Sequence, residues 1–501
     1  MSETLLELKQ ISKSFGGVKA LDDVDLVLKK GEIHCLAGEN GSGKSTLIKI
    51  VSGFYKSDSG VINFNGKICE NLSVIESIHM GIQVIYQDFS IFPNLTVMEN
   101  ISMNYELFNR KKIVNWKNVR KIAKESLAHI GISIPLEEPV ENLSVADKQL
   151  VAIARSILYN AKLIIMDEPT SALTRNEVEK LFSVIRQLKS EGITILFVSH
   201  KLDEVFEIAE NFTVIRNGKI IVTDSAVNID NEKFIFYMTG RQIKEDYFTA
   251  AGSDKEKCIF KVENLTLTNA FRDVSFEIHP GEIMGITGLL GSGRTELAKA
   301  LFGLYKPGGR IYVDGVQVQI NSPLDAIKHG IAYVPEDRLT EGLFLKQSIQ
   351  DNLAISAIDS FAGKWGAINT VQLEKNINSW IEKLSIKVNK TSDPVSALSG
   401  GNQQKVVLGK WLEIKPRVLI LNGPTVGVDV GSKFDIHVLL RDLAAKKEMA
   451  VILISDDIAE VLKNCSRILI IEKGCIINQQ VNTCLTEEQL TALVVNRQEE
   501  K

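Results

Sequence analysis

One short segment carries the residue types that bind phosphate. Residues 38–45 read GENGSGKS and fit the pattern G-x-x-x-x-G-K-[ST] without deviation. Glycines let backbone N–H groups close around phosphate oxygens, and a helix beginning there adds its positive end. Lys44 would reach the β- and γ-phosphates, and Ser45 would ligate Mg²⁺. A chance glycine turn could give the same pattern, but an apolar strand precedes this one and a helical pattern follows it. The segment therefore predicts a nucleoside-triphosphate site.

Polar residues that could act on a bound triphosphate follow other apolar runs. Asp167 ends KLIIMD, where its carboxylate could hold Mg²⁺, and Glu168 is the candidate base for an attacking water. His200 follows TILFVS and could contact the γ-phosphate, while Gln87 could contact Mg²⁺ and the water. Phe15 could stack on a base. Each residue alone has a structural reading: an Asp-Glu pair caps helices, and a single His, Gln or Phe is often structural. Their common order and spacing favour catalysis.

The chain repeats itself at half its length. Three blocks recur in the same order at offsets of 250, 255 and 256 residues: 31–47 with 281–297, 143–158 with 398–413, and 194–205 with 450–461. A period this long indicates duplicated domains, because stacked short repeats recur every few tens of residues. We predict domains at 1–240 and 259–495, a polar linker at 241–258 and a frayed tail at 496–501.

The second copy lacks the residues that would do chemistry. Arg294 replaces the phosphate-loop lysine, Glu336 replaces Gln87, Asn422 and Gly423 replace the Asp-Glu pair, and Asp456 replaces His200. Loss of a general base typically lowers a rate by about 10²–10⁴-fold. We expect this site to bind nucleotide and to hydrolyse it slowly or not at all. Two explanations of these replacements are open. The residues could have drifted at a site that no longer catalyses, or the site could be kept to hold a bound nucleotide.

The elements that must position these residues alternate in type. Short apolar strands such as HCLAG, LIIMD and TILFVSH alternate with amphipathic helices, which predicts layered α/β domains with buried parallel strands. Helical stretches are expected at 115–132 and 371–388, between the phosphate loop and the LS motif of each half.

Composition narrows the class of protein. The net charge of −4 gives no electrostatic basis for nucleic-acid binding. The six cysteines occur singly, as expected of reduced core thiols. The N-terminal residues do not resemble a signal peptide, and no apolar run approaches the ~20 residues of a membrane helix. We therefore expect any membrane association to be peripheral.

Together these motifs resemble a tandem ATP-binding-cassette ATPase over essentially the whole chain. The matching features are the Walker A segment 38–45, the Q-loop Gln87, the signature LSVADKQ, the Walker B segment 163–168, the D-loop SALT and the H-loop His200, followed by a second set. GLLGSGRTEL, AYVPEDRLTEGL and LSGGNQQKVVLGKWL are similar to fused ATPase subunits of bacterial monosaccharide importers of the ribose, galactose and xylose type. The resemblance implies two tandem P-loop NTPase domains, each a mixed or parallel β core with a helical subdomain.

The resemblance also implies how the motifs pair. In such proteins two cassettes close head to tail, so that each ATP lies between one Walker A segment and the other domain's signature. The first ATP site would comprise Gly38, Glu39, Asn40, Gly41, Ser42, Gly43, Lys44, Ser45 and Thr46 with Ser399, Gly400, Gly401 and Gln403. Its Mg²⁺ would be held by Ser45, Gln87 and Asp167. The degenerate site would comprise Gly288, Gly291, Gly293, Arg294, Thr295, Glu336, Asn422, Gly423 and Asp456 with Ser144, in a signature where Ala146 replaces the second glycine.

The implied role is the energy-coupling ATPase of an importer for a simple sugar. Its partners would be two membrane permease subunits and, indirectly, an extracytoplasmic binding protein, which places it at the cytoplasmic face of a bacterial membrane. The same machine could serve a polyol, a nucleoside or a sugar-like signal, although nucleoside-type relatives usually have Gln where Arg294 stands. A soluble tandem cassette acting on ribosomes is the alternative from another class. The short join and the single catalytic glutamate argue against it.

Overall fold

The computed structural model describes residues 3–69, 72–87, 90–108, 114–170, 173–199, 201–242, 258–289, 291–362, 368–446, 449–482 and 485–495. The chain divides into two compact units, Met1–Ile243 and Lys244–Lys501. Most of the predicted linker and all of the predicted tail lie outside the described residues. The exact domain limits therefore stay predictions.

The first unit alternates strands and helices as the sequence predicts. Its described strands are β1 (Thr4–Phe15), β2 (Val18–Lys29), β3 (Ile33–Ala37), β4 (Ser59–Phe64), β5 (Lys67–Cys69), β6 (Ile82–Ile85), β7 (Leu163–Asp167), β8 (Thr194–Ser199), β9 (Asn211–Arg216) and β10 (Lys219–Ser225). Its described helices are α1 (Lys44–Val51), α2 (Val74–Met80), α3 (Val97–Phe108), α4 (Trp116–His129), α5 (Val145–Ile157), α6 (Arg175–Ser190), α7 (Leu202–Ile208) and α8 (Asn231–Thr239).

Two sheets enclose a core of the first unit. The described part of one sheet has the antiparallel order β2-β1-β4-β5, and that of the other has the order β10-β9-β3-β8-β7-β6. In the second sheet β3 pairs in parallel with β8 and β9, and β7 pairs in parallel with β6 and β8. β3 and β8 are buried along their whole length, as expected for strands covered on both faces. The carboxyl ends of β3, β8, β7 and β6 therefore meet at one edge of the sheet.

The second unit repeats this order of elements. Its described strands are β11 (Phe260–Leu267), β12 (Phe271–Ile278), β13 (Ile283–Thr287), β14 (Gly308–Val313), β15 (Val316–Val318), β16 (Ile331–Val334), β17 (Val418–Asn422), β18 (Ala450–Ile454), β19 (Arg467–Glu472) and β20 (Cys475–Val481). Its described helices are α9 (Arg294–Leu301), α10 (Pro323–Lys328), α11 (Ile349–Ala354), α12 (Thr370–Lys383), α13 (Gly400–Leu412), α14 (Val430–Ala445), α15 (Ile458–Asn464) and α16 (Glu487–Val495).

The sheets of the second unit have the same topology. Over the residues given, the antiparallel sheet has the order β12-β11-β14-β15, and the larger sheet has the order β16-β17-β18-β13-β19-β20. β17 pairs in parallel with β16 and β18, so their carboxyl ends again share one edge. One apolar cluster packs between the two sheets, and another lies under the helices on the opposite face.

A group of helices in each unit confirms the predicted helical stretches. α3, α4 and α5 pack together in the first unit, and α11 contacts both α12 and α13 in the second. Among the described helices, none is both long and apolar enough to cross a bilayer. The thiol prediction holds only in part, because two described cysteines are buried and three are partly exposed: Cys35 and Cys465, then Cys69, Cys258 and Cys475.

Candidate nucleotide sites

The phosphate loop of the first unit connects β3 to α1. Gly41 and Gly43 have φ of +79° and +113°, left-handed conformations that a side chain would strain. Gly38 has no room for a side chain, since an added Cβ would lie 2.3 Å from the Ile215 carbonyl oxygen. The buried hydroxyl of Ser42 has no hydrogen-bond partner. The loop therefore forms a tight backbone cradle with an unused polar atom inside it, which suits a phosphate group.

Lys44 is buried at the first position of α1. Its Nζ donates to the Gly38 carbonyl at 2.6 Å and to the Glu39 carbonyl at 2.9 Å. These bonds hold the cation across the mouth of the loop. Glu39 and Asn40 lie in the loop, and Ser45 and Thr46 lie in the first turn of the helix, where Ser45 is exposed.

Two carboxylates lie at the carboxyl end of β7, where Asp167 is the last residue of the strand and Glu168 follows it. Burial, together with the neighbouring charge of Glu168, raises the pKa of Asp167 to about 6. Negative charge here is therefore poorly compensated, and a bound divalent cation would relieve it. Glu168 has φ of +48°, and its N–H donates to the Val198 carbonyl at 3.0 Å. A non-glycine residue in this region is strained, which is characteristic of functional sites.

The remaining predicted residues lie around this edge. Gln87 is exposed just after β6, the strand that neighbours β7. Phe15 ends β1 with 41% of its surface exposed, and its ring meets Tyr55 edge to face at 5.2 Å. That exposed face can stack on a base. His200 lies outside the described residues, although Ser199 before it is held by a 2.7 Å bond to Glu204.

The second unit keeps the cradle with a different cation. Gly291 and Gly293 again have positive φ, at +77° and +96°, and a Cβ on Gly288 would lie 2.2 Å from a backbone carbonyl. Arg294 Nη1 donates to the Gly288 carbonyl at 2.8 Å, much as Lys44 does in the first unit. Its other nitrogen lies 3.6 Å from Asp456, so part of its charge is already compensated.

The acidic pair is replaced without a change of backbone. Asn422 is 3% exposed, and its amide lies 3.5 Å from the Thr295 hydroxyl. Gly423 has φ of +56°, and its N–H donates to the Ile454 carbonyl at 2.8 Å, the counterpart of the bond that Glu168 makes. Glycine takes this conformation without strain. The turn is therefore conserved while its carboxylates are lost.

A cavity of about 390 Å³ lies beside this turn. Its lining mixes both charges with polar and apolar groups: Thr295, Lys299, Tyr333, Glu336, Asp337, Arg338, Leu339, Glu341, Asn422, Val426 and Gly427. Glu336 packs against Gly423, because a Cβ on that glycine would lie 3.1 Å from the Glu336 Cγ.

The two signature motifs differ in chemistry. Ser144 donates to the Asp147 carboxylate at 3.0 Å and accepts from the Asp147 N–H, so its hydroxyl is engaged in capping α5 beside a negative charge. Sequence reasoning missed Asp147, although a Ser with an acid three positions later is a capping signal. In the other motif the Ser399 hydroxyl accepts from the Asn402 amide, at 2.9 Å.

The LSGGNQQ motif is closely packed. A Cβ on Gly401, the position that Ala146 occupies in the first unit, would lie 2.1 Å from the Ser432 hydroxyl. Gln403 is buried and contacts Arg338 and the Val395 carbonyl, each at 3.4 Å. In this structure its side chain therefore packs inside the second unit and stabilises the start of α13.

In the described part of the chain, no group of three or more His, Cys, Asp or Glu side chains could hold a metal ion alone. Ser45 and Asp167 nevertheless supply the hydroxyl and carboxylate oxygens that Mg²⁺ prefers, and the raised pKa of Asp167 fits a nearby cation.

Comparison with known proteins places these features in context. A family model described as ABC transporter matches residues 21–171 and 271–426. The ribose import ATP-binding protein of Caldanaerobacter subterraneus subsp. tengcongensis is 40% identical, over 97% of this chain and 98% of that protein. The xylose import ATP-binding protein of Thermoanaerobacter pseudethanolicus is 42% identical, over 95% of each. The ribose import ATP-binding protein of Lacticaseibacillus paracasei is 39% identical, over 99% of each.

Proposed function

The chain belongs to the ABC transporter family as a tandem ATPase, and from this premise we propose that it powers import of a simple sugar through one competent ATP site. The observation that supports a single competent site is the contrast at the ends of β7 and β17. The first strand presents Asp167 and Glu168, whereas the second presents Asn422 and Gly423 on the same backbone turn.

We propose the following roles at the first site. Lys44 turns from its two loop carbonyls to the β- and γ-phosphates when ATP occupies the cradle. Glu168, whose backbone N–H bonds to β8, accepts a proton from the attacking water or orients that water. Mg²⁺ bound there would neutralise developing phosphate charge. Ser45 and Asp167 would hold that ion, with Gln87 and His200 completing the polar shell.

We propose that the LSGGNQQ motif completes this site, as the resemblance to other cassettes implies. Ser399 and the N–H groups of Gly400 and Gly401 would close on the γ-phosphate of ATP bound at 38–46. Nucleotide in the second cradle would instead meet Ser144, whose hydroxyl is tied to Asp147. That carboxylate repels phosphate. The difference between the two signatures therefore favours hydrolysis at the first site, as the difference between the two Walker B turns does.

The cargo and partners are proposed from the relatives. Two of them are named for ribose import and one for xylose import, at similar identity. A pentose or similar sugar is therefore the first candidate cargo. We propose that two permease subunits bind this ATPase at the cytoplasmic face of the membrane and that a separate binding protein delivers the sugar.

Uptake measurements test this function. Cells that express the chain with its permease and binding protein should accumulate labelled ribose or xylose against a gradient, and Glu168→Gln should abolish that accumulation. Uptake that persists in the variant would contradict the proposal. Co-sedimentation of the chain with ribosomes instead of membranes would favour the translation-associated class.

A further inference from the structure

A short π-helical turn, Arg338–Gly342, follows the Q-loop position of the second unit. Asp337 caps it by accepting from the N–H groups of Leu339 at 2.9 Å and Thr340 at 3.2 Å. At its other end Glu341 pairs with Lys299 of α9 at 2.7 Å. π-helical turns are rare and are frequent at functional sites. Both ends of this turn are fixed, so the position of Arg338 is fixed as well.

Arg338 reaches from this turn to the loop after β17. Its Nη1 donates to the Val426 carbonyl at 2.9 Å, and its Nη2 donates to the Gly427 carbonyl at 3.2 Å. The planar guanidinium therefore bridges two successive carbonyls, which a lysine ammonium could not do with the same geometry.

The same guanidinium lies against the start of the signature helix α13. Its Nε is 3.4 Å from the Gln403 amide oxygen, and a Cβ on Gly400 would lie 2.6 Å from Nη2. A cation beside a helix N-terminus is electrostatically unfavourable unless an anion is also bound there. The arrangement therefore places a half-buried positive charge where the signature motif would receive phosphate.

We propose that Arg338 is a positioning residue that fixes the LSGGNQQ motif against the loop at 426–427, in the orientation that receives ATP. This inference rests on the proposed function, because the signature must contribute to ATP binding at the competent site. Arg338 itself need not touch the nucleotide. It acts through the backbone of Gly400 and the side chain of Gln403.

Steady-state ATP hydrolysis by the full-length chain separates this role from a merely structural one. Arg338→Gln removes the positive charge and the planar guanidinium that bonds both carbonyls. We expect KM for ATP to rise about tenfold, the size expected for loss of charged hydrogen bonds. We expect kcat at saturating ATP to stay within about twofold, because the residues of the first site are untouched. Arg338→Lys should give an intermediate KM, since it keeps the positive charge but lacks the planar guanidinium.

A matched control is Arg417→Gln, which breaks an exposed ion pair with Asp314 elsewhere in the second unit. Its KM should equal that of the wild type. An Arg338→Gln variant with wild-type KM would overturn the inference, as would lower thermal stability and kcat with an unchanged KM. Glu168→Gln, measured in parallel, identifies a failure of the proposed function itself: if that variant hydrolyses ATP normally, the catalytic assignment is wrong whatever Arg338 does.

Discussion

Replacing Asp167 with Asn should stabilise the nucleotide-free first unit at neutral pH. The pKa of Asp167 is raised from 3.8 to about 6, with burial as the main cause and Glu168 as the second. A shift of about two pH units corresponds to about 3 kcal/mol. The unfolded chain ionises near pH 4, whereas the folded unit resists ionisation until about pH 6. The wild type should therefore lose up to about 3 kcal/mol of stability relative to Asp167→Asn as pH rises from 4 to 7.

Urea unfolding between pH 4 and 8, in buffer free of nucleotide and divalent ions, measures this difference. Comparison of the wild type with Asp167→Asn at each pH cancels the contribution of the other titrating groups to the free energy of unfolding. Asn422→Asp is the matched control: it places a carboxylate at a position 3% exposed, so it should destabilise the second unit at pH 7 and leave the first unchanged. A difference between Asp167→Asn and wild type that does not vary with pH would refute the reasoning, as would a less stable variant at pH 7.

Three further variants probe other contacts. Gly38→Ala should remove ATP binding at the first cradle, so that equilibrium dialysis finds about one nucleotide fewer per chain, because its Cβ would lie 2.3 Å from the Ile215 carbonyl. Gly423→Glu should not restore hydrolysis at the second site and should destabilise that unit by about 1–2 kcal/mol in thermal unfolding, since φ is +56° and Glu336 adjoins the new side chain. Glu460→Gln should destabilise the second unit at pH 7 but little near pH 2. Burial alone would raise the pKa of Glu460, but hydrogen bonds and nearby cations outweigh it and hold the pKa at about 2. The stability that the Glu460 carboxylate contributes is therefore lost as pH falls from 4.5 towards 2.

The duplicated architecture and the edge that carries the site could be predicted from the sequence. Buried strands have a distinct apolar pattern, and a buried strand before the phosphate loop and a helix after it support the prediction of a phosphate site. Helix ends were less predictable. The stretch predicted at 115–132 ends at His129, because Gly131 takes a left-handed conformation, and the one predicted at 371–388 ends at Lys383, before Ser385 with φ of +49°.

Features that depend on contacts distant in sequence could not be predicted. The bridge from Arg338 to the loop at 426–427 joins residues 88 and 89 positions apart. The left-handed backbone conformation that Glu168 and Gly423 share could not be predicted from their residue types either. It changes the interpretation of the second copy, because glycine there relieves strain as well as removing a base.

The central claim, one hydrolysing site in a chain with two nucleotide cradles, is tested most directly by ATP turnover of Glu168→Gln. We predict that this purified variant hydrolyses ATP at least about 100-fold more slowly than the wild type while still binding it. A variant that retains half of the wild-type rate would contradict the account, because either Glu168 is not the catalytic base or the second unit turns over.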